Sequence, residues 1–330
     1  MPRKALVAGA GGFIGHAMVR YLKEKEYWVR GVDIKAPEFG ATAADEFQLL
    51  DLRRRDNCLV ATHGVEEVYQ LAADMGGIGF ITTNHAEIAT NNVLINTHML
   101  EAAWLNGVDT LMYSSSACVY PQYLQESADV TPLKEEDCYP ADAEEGYGWE
   151  KLYSEKLAQY YNDDGRVQTR VARFHNVFGP YGTYEGGREK APAAICRKIA
   201  LCKAEDEIEV WGDGEQTRSF MYIDDCLEGI YRIAKSDHSR PLNLGNDYLT
   251  TINGLVEIVA KIAGKTIARR HDLSAPQGVR GRNSDNTKLR ELFGGWEPAI
   301  SLEEGLKPTY EWIEQELSKA GRIATVAKAI

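Results

Sequence analysis

A short apolar run, Lys4-Ala-Leu-Val-Ala8, passes directly into Gly9-Ala-Gly-Gly12-Phe13-Ile14-Gly15, and a helical pattern follows from His16 to Lys25. Strand, glycine turn and helix in that order leave few folds open. Glycines here allow a tight turn, let backbone approach a pyrophosphate and permit close packing of helix on strand, while the helix N-terminus attracts negative charge. A glycine cluster alone fits a plain turn equally well. The next strand decides: Trp28-Val-Arg-Gly-Val-Asp33 ends in an acid 18 residues after Gly15. A carboxylate there accepts ribose hydroxyls and repels a 2′-phosphate, so the expected cofactor is NAD rather than NADP.

Strand and helix patterns then alternate. Phe47 to Leu50 precedes a helix through Leu59, Glu67 to Leu71 precedes a long helix from about Asn84 to Asn106, and Thr110 to Ser115 follows. Such alternation predicts an α/β fold with a doubly wound parallel sheet, whose ligands bind beyond the carboxyl ends of the strands. Asp51 and Leu52 are thereby candidates to flank the adenine, and Leu71, Ala72 and Ala73 the middle of the cofactor, although simple loop packing accounts for each equally well. Met75 to Gly79, with Gly76 and Gly77 inside it, reads as a flexible loop.

The stretch Ser114 to Lys151 carries the chemistry. Tyr147 and Lys151, four residues apart on a helix, share a face and lie roughly 6 Å apart along the axis. An ammonium held beside a phenol favours the phenolate and brings it toward the range of a general base. Ser116, ending an apolar run, is the candidate to supply the matching hydrogen bond. Taken alone, Tyr-x-x-x-Lys is more often ordinary helix surface.

Further on, the pattern gives a helix to Asn162, a strand from Gln168 to Phe174 and the loop His175 to Gly182. Arg188-Glu189-Lys190 opens a helix running to about Ala204, and unaided such a triplet reads as a solvated cap. Strands at Glu207 to Trp211 and Thr266 to Arg270 and helices from Thr251 and from Ser301 to about Lys319 complete the chain. Arg280 and Arg282 can match diphosphate oxygens with their guanidinium forks, but exposed loop arginines are commoner than clamps.

Composition excludes several classes. A net charge of −12 argues against nucleic-acid binding. Six scattered cysteines lack a C-x-x-C pair or zinc spacing, so no metal is expected and the thiols read as cytosolic. No run approaches the ~18 apolar residues of a membrane span. A cytoplasmic protein is expected.

Together, Gly9, Gly12, Gly15, Asp33, Ser116, Tyr147 and Lys151 resemble the extended short-chain dehydrogenase/reductase family in order and spacing. Within it, the chain more closely resembles the GDP-mannose 3,5-epimerases. The similarity is carried by residues 71–77, 115–121, 147–151, 173–176, 186–194, 211–220 and 278–286 and extends over roughly 4 to 316, whereas the tail after Gly321 matches nothing in that group. The resemblance implies a Rossmann-like NAD domain over 1–174, with 215–249 returning to it, and a smaller nucleotide-sugar domain over 175–214 and 250–330. GDP-mannose is the implied substrate. Tyr147 and Lys151 would also contact NAD, Cys118 would be the base and Lys190 the acid that invert C5 and C3. Gly76, Asn176, Glu189, Lys198 and Gln216 would bind substrate, with Arg218 and either Arg280 or Arg282 at the sugar or diphosphate. A homodimer is implied, with helices 84–106 and 147–162 pairing as a four-helix bundle. A related 4-epimerase would not need the Cys118/Lys190 pair. A 4,6-dehydratase would want a carboxylate near Cys118, where the sequence offers none evident. A non-catalytic NAD sensor would show a broken Tyr/Lys/Ser set.

Overall fold

The computed structural model describes residues 2–203 and 206–323. Ala204 and the end of the tail after Gly321, residues 324–330, lie outside that description. The first half reads β1 (Lys4–Ala8), α1 (Phe13–Glu24), β2 (Trp28–Asp33), β3 (Glu46–Leu49), α2 (Arg55–Thr62), β4 (Glu67–Gln70), α3 (Ile78–Ile81), α4 (His85–Leu105), β5 (Thr110–Ser116), α5 (Glu145–Asp163) and β6 (Gln168–Phe174). The second half adds β7 (Val177–Phe178), α6 (Ala191–Leu201), β8 (Glu207–Trp211), β9 (Thr217–Ser219), β10 (Met221–Tyr222), α7 (Ile223–Lys235), β11 (Leu242–Leu244), β12 (Leu249–Thr251), α8 (Ile252–Ala263), β13 (Ala268–Asp272), β14 (Gly281–Arg282), α9 (Thr287–Leu292) and α10 (Leu302–Lys319).

Seven strands form one parallel sheet in the order β11-β6-β5-β4-β1-β2-β3. The chain reverses direction across it at β1, which pairs with β2 on one side and β4 on the other. That switch point opens a crevice above the strand ends. Strand periodicity explains the unbroken apolar run of β1. Ala5 and Val7 face a cluster that includes Met18 and Leu22 of α1 and Ile230 and Ile233 of α7. Leu6 and Ala8 face another, with Cys58 of α2, Met99 of α4 and Ala158 of α5. A strand buried on both faces has no polar side to alternate.

The first of these clusters continues into Ile195 and Ile199 of α6, Leu255 and Val259 of α8 and Ile313 of α10. The smaller sheets sit in this region: β12-β9-β14, β7 with β10, and β8 with β13. Two sequence expectations change. The end of the loop expected at 75–79 enters a helical turn over Ile78–Ile81, and the strand expected at 266–270 lies two residues later, where β13 keeps register with β8 from Ala268↔Glu207 to Asp272↔Trp211. Propensity alone does not set such a boundary, because pairing does.

Ile230 is fully buried on the apolar face of α7. Ile230→Ala is expected to cost about 2–5 kcal/mol through lost burial and the cavity left behind. Chemical denaturation reads the loss. Tyr248→Ala, at a site 79% exposed, should leave the midpoint unchanged.

Candidate active site

The cofactor crevice forms where β1 ends. Gly9 has φ +83, and a Cβ there would stand 2.8 Å from the Ala72 backbone nitrogen, so the turn presses on the loop after β4 in a way only glycine allows. No side chain caps α1. Its first turn, Phe13, Ile14 and Gly15 after Gly12, therefore offers backbone N–H groups to an anion. Asp33 stands at the tip of β2, with Oδ2 accepting from Gly11 N at 2.9 Å and Oδ1 from Lys35 N at 3.1 Å. Each oxygen retains a lone pair for a ribose hydroxyl. This cradle fits NAD. Leu71 N donates to Ala8 O at 3.1 Å, which keeps Leu71, Ala72 and Ala73 beside the crevice. Asp51 is engaged by Arg53 at 2.8 and 2.9 Å, and Leu52 packs its side chain into the core.

Beyond β5, Ser116 Oγ accepts from Cys118 N at 3.2 Å and caps the short turn Ala117–Val119. Helix α5 lies across that turn. A Cβ on Gly148 would fall 2.3 Å from Cys118 O, so glycine is what lets the helix come this close. Tyr147 and Lys151 are thereby buried next to Ser116. Lys151 Nζ donates to Ser114 O at 2.9 Å, lies 3.9 Å from Glu150 Oε1 and sits 5.5 Å from the Tyr147 ring centre. The expectation that Lys151 draws Tyr147 toward ionisation needs correcting. Burial, with negative charge at Cys118 and Glu150, pushes the phenol well above its usual pKa, and neighbouring Ser116 only opposes this. Burial also lowers Lys151, against the charge of Glu150. In this arrangement Tyr147 rests as a neutral phenol.

Cys118 shares an apolar cluster with Tyr147 and Ile88, edged by Met75, Phe80 and Ile81. Its pKa is pushed up to about 11, first by burial and then by Glu144. The sulfur therefore rests as the thiol, with less thiolate present near neutral pH than an ordinary cysteine has. Lys190, half-buried before α6, has its pKa lowered by burial, and the Cys118 charge works against that. The two are thus within electrostatic reach of each other. A carboxylate does lie near Cys118, contrary to the sequence reading. Glu144, whose charge raises the pKa of the thiol, is held by Arg282, Nη2 to Oε1 2.8 Å, while Arg282 Nη1 approaches Sγ at 3.5 Å. An acid just before a helix reads as a cap, so Glu144 carried no signal beyond its closeness to Tyr147.

The remaining candidates spread outward. Asn176 Nδ2 donates to Ser219 O at 3.0 Å, Lys198 Nζ to Glu209 O at 2.7 Å and Gln216 Nε2 to Trp211 O at 2.9 Å, while Gln216 Oε1 is buried without a partner. Glu189 binds Arg197 at 3.2 Å, and Gly76 lies against the Phe80 ring. Arg218, lowered to about 10 by burial and then by Arg282, donates to Val279 O at 2.7 Å. Arg280 and Arg282 part company: Arg282 is buried in the Cys118 cluster, whereas Arg280 is a third exposed and pairs with Asp213 at 2.7 Å.

A dinucleotide cradle opening onto a buried Ser/Tyr/Lys set defines an NAD-dependent enzyme of the short-chain type. The chain belongs to the NAD dependent epimerase/dehydratase family, whose sequence model matches residues 5–245. It is 47% identical over 315 residues to GDP-mannose 3,5-epimerase 1 of Oryza sativa subsp. japonica, covering 95% of this chain and 82% of that protein. To GDP-mannose 3,5-epimerase of Arabidopsis thaliana it is 46% identical over 318 residues, covering 96% and 83%. Among solved structures, UDP-glucose 4-epimerase of Thermotoga maritima aligns with a TM-score of 0.84 at 26% identity, over 95% of this chain and 99% of that one.

Cys118 stays a thiol until the pH approaches about 11. Its alkylation, followed by peptide mass spectrometry, should therefore climb steadily with pH above neutrality. Glu144→Gln removes a negative charge beside the sulfur and should shift the climb to lower pH. A wild-type plateau near neutral pH would contradict this.

Proposed function

We propose that this protein is a GDP-mannose 3,5-epimerase, converting GDP-α-D-mannose to GDP-L-galactose and GDP-L-gulose by transient C4 oxidation, proton inversion at C5 and C3, and re-reduction at C4. One observation supports this reading: Cys118 packs with Tyr147, and Lys190 lies within electrostatic reach of that thiol. A 4-epimerase needs only the Tyr147/Lys151/Ser116 set. The two plant relatives at 46–47% identity support the same assignment.

Bound NAD would accept hydride from C4, return it later, and supply the positive charge of an oxidised nicotinamide, which favours ionised Tyr147. Gly9, Gly12, Phe13, Ile14, Gly15 and Asp33 would hold it, with Asp51, Leu52 and residues 71–73 along its length. Tyr147 takes the C4 hydroxyl proton while Ser116 Oγ keeps that oxygen in line. Lys151, fixed on Ser114 O, supplies standing positive charge. A C4 ketone acidifies the protons on C3 and C5. Cys118 and Lys190 then remove and return them from opposite faces, which is what inversion requires.

Arg218 and Arg280 are the proposed diphosphate contacts, because Arg282 is buried against Glu144 and Cys118 whereas the Arg280–Asp213 pair is open to solvent and can exchange partners. Gly76, Asn176, Glu189, Lys198 and Gln216 would complete substrate binding. The lobes would divide the work, residues 1–174 with 215–249 serving NAD and 175–214 with 250–330 serving the nucleotide sugar. A homodimer is proposed through α4 and α5, which leave Leu94, Trp149, Tyr153 and Tyr160 exposed. All six cysteines are free, in keeping with a reducing cytoplasm. Among the described residues, no helix is long and apolar enough to cross a membrane.

Glu144 beside Cys118 is the observation a 4,6-dehydratase reading would use. The products decide between them, since dehydration loses water and epimerisation conserves mass. In heavy water, NMR of the products from GDP-mannose should find deuterium at C5 and C3 and none at C4. Tyr147→Phe is expected to lower turnover about 10²–10⁴-fold with the fold intact. Near-normal epimerisation by that variant would overturn the C4-ketone route.

A further inference from the structure

Two segments meet over the pocket of Cys118 and Tyr147, and Arg188 joins them. On one side Met75, Phe80 and Ile81 close the apolar cluster. On the other, Gly186 and Gly187 have φ +90 and +85 with open space around them, so local packing does little to hold the approach to Lys190. Glu189 ties the segment to α6, accepting from Gly187 N at 2.7 Å and pairing with Arg197 at 3.2 Å, and Arg188 supplies the hold across to the 74–80 segment. Its Nη1 pairs with Asp74 Oδ1 at 3.0 Å, its guanidinium stacks 3.7 Å over the Phe80 ring, and its carbonyl accepts from Gly77 N at 3.0 Å.

Asp74 is a fixed post for this contact. Asn92 brackets its backbone, Oδ1 accepting from Asp74 N at 2.6 Å and Nδ2 donating to Asp74 O at 3.0 Å, and Asn91 Nδ2 holds its Oδ2 at 3.0 Å. Asn92 Nδ2 also reaches Glu150 Oε1 at 2.9 Å, next to Lys151. The position of the Lys190 segment is thus referred, through Arg188, Asp74, Asn92 and Glu150, to α5, the helix that carries Tyr147 and Lys151.

We propose that Arg188 is a positioning residue for Lys190, latching the 186–190 segment to the 74–80 segment over the pocket, so that proton transfer at C5 and C3 depends on it while C4 oxidation does not. This rests on the 3,5-epimerase reading above. The Arg188 side chain is half exposed and that of Asp74 about a fifth. Exposed ion pairs are weak, so the latch can release for substrate to enter and re-form over it. A displacement of about 1 Å costs on the order of 10²-fold in a step that needs aligned groups, and no such penalty falls on hydride transfer, in which Lys190 takes no part.

The test compares wild type, Arg188→Met, Arg188→Lys and Asp74→Asn as NAD-loaded enzymes. Deuterium uptake at C5 and C3 and single-turnover formation of reduced nicotinamide are measured in parallel. Arg188→Met should lose about 10–100-fold in deuterium uptake and keep reduced-nicotinamide formation within about twofold. Asp74→Asn should move in the same direction, the double variant should be no worse than Arg188→Met because the two residues act as one unit, and Arg188→Lys should recover part of the loss. Undiminished uptake in Arg188→Met, or an equal fall in uptake and oxidation, would overturn the proposal. A substrate-free readout separates it from the functional reading: amide hydrogen exchange at 187–190 should quicken in Arg188→Met, and unchanged exchange would sink the latch. If wild type takes up no deuterium while Arg188→Met still quickens that exchange, the epimerase assignment fails and the latch stands as a structural contact.

Discussion

The close seating of α5 on the turn after β5 is the constraint from which the site follows. Gly148 removes the side chain that would strike Cys118 O, and Lys151, fully buried, fastens the helix through Ser114 O. Four residues on, Glu155 accepts Ser115 Oγ and holds Arg173 through a two-pronged bridge, Nε to Oε1 2.9 Å and Nη2 to Oε2 2.8 Å. Helix α5 is thus tied to the end of β5 and to neighbouring β6. Tyr147, Ser116 and Cys118 take their mutual positions from that arrangement.

Buried charge is expensive, and this protein places much of it behind the reacting groups. Arg173 and Glu155 are both about 3% exposed, and such a pair stabilises little once desolvation is counted. What it supplies is direction, since a fork on a carboxylate has one good geometry. The same reasoning applies to Arg282 and Glu144 beside Cys118. Their charges set where a proton rests on the sulfur, a control that apolar packing alone cannot exert.

The parallel sheet fixes where the chemistry takes place, and the segments beyond it fix what the chemistry is. Every residue of the Ser/Tyr/Lys set belongs to β5 or α5. Lys190 comes instead from the segment before α6, Arg218 from β9 and Arg282 from β14, and one continuous apolar cluster runs from α1 and α7 through α6, α8 and α10. Elements on one face of the sheet and the helices that follow it therefore share a single core.

Local features were legible in the sequence because their causes are local. The glycine turn, the acid at the tip of β2, the continuous apolar strands and the four-residue spacing of Tyr147 and Lys151 depend on backbone sterics and helix geometry. The order of elements then implied the doubly wound sheet. Tertiary structure alone decided the rest. It brought Glu144 and Arg282, 138 positions apart, onto Cys118, and it separated Arg282 from Arg280, two residues away. It also set the protonation of Tyr147 opposite to what Lys151, its neighbour on the helix, suggested, and raised the pKa of Cys118. A pKa answers to burial and to charges a few ångströms away, and which groups come that close is settled only when the chain has packed.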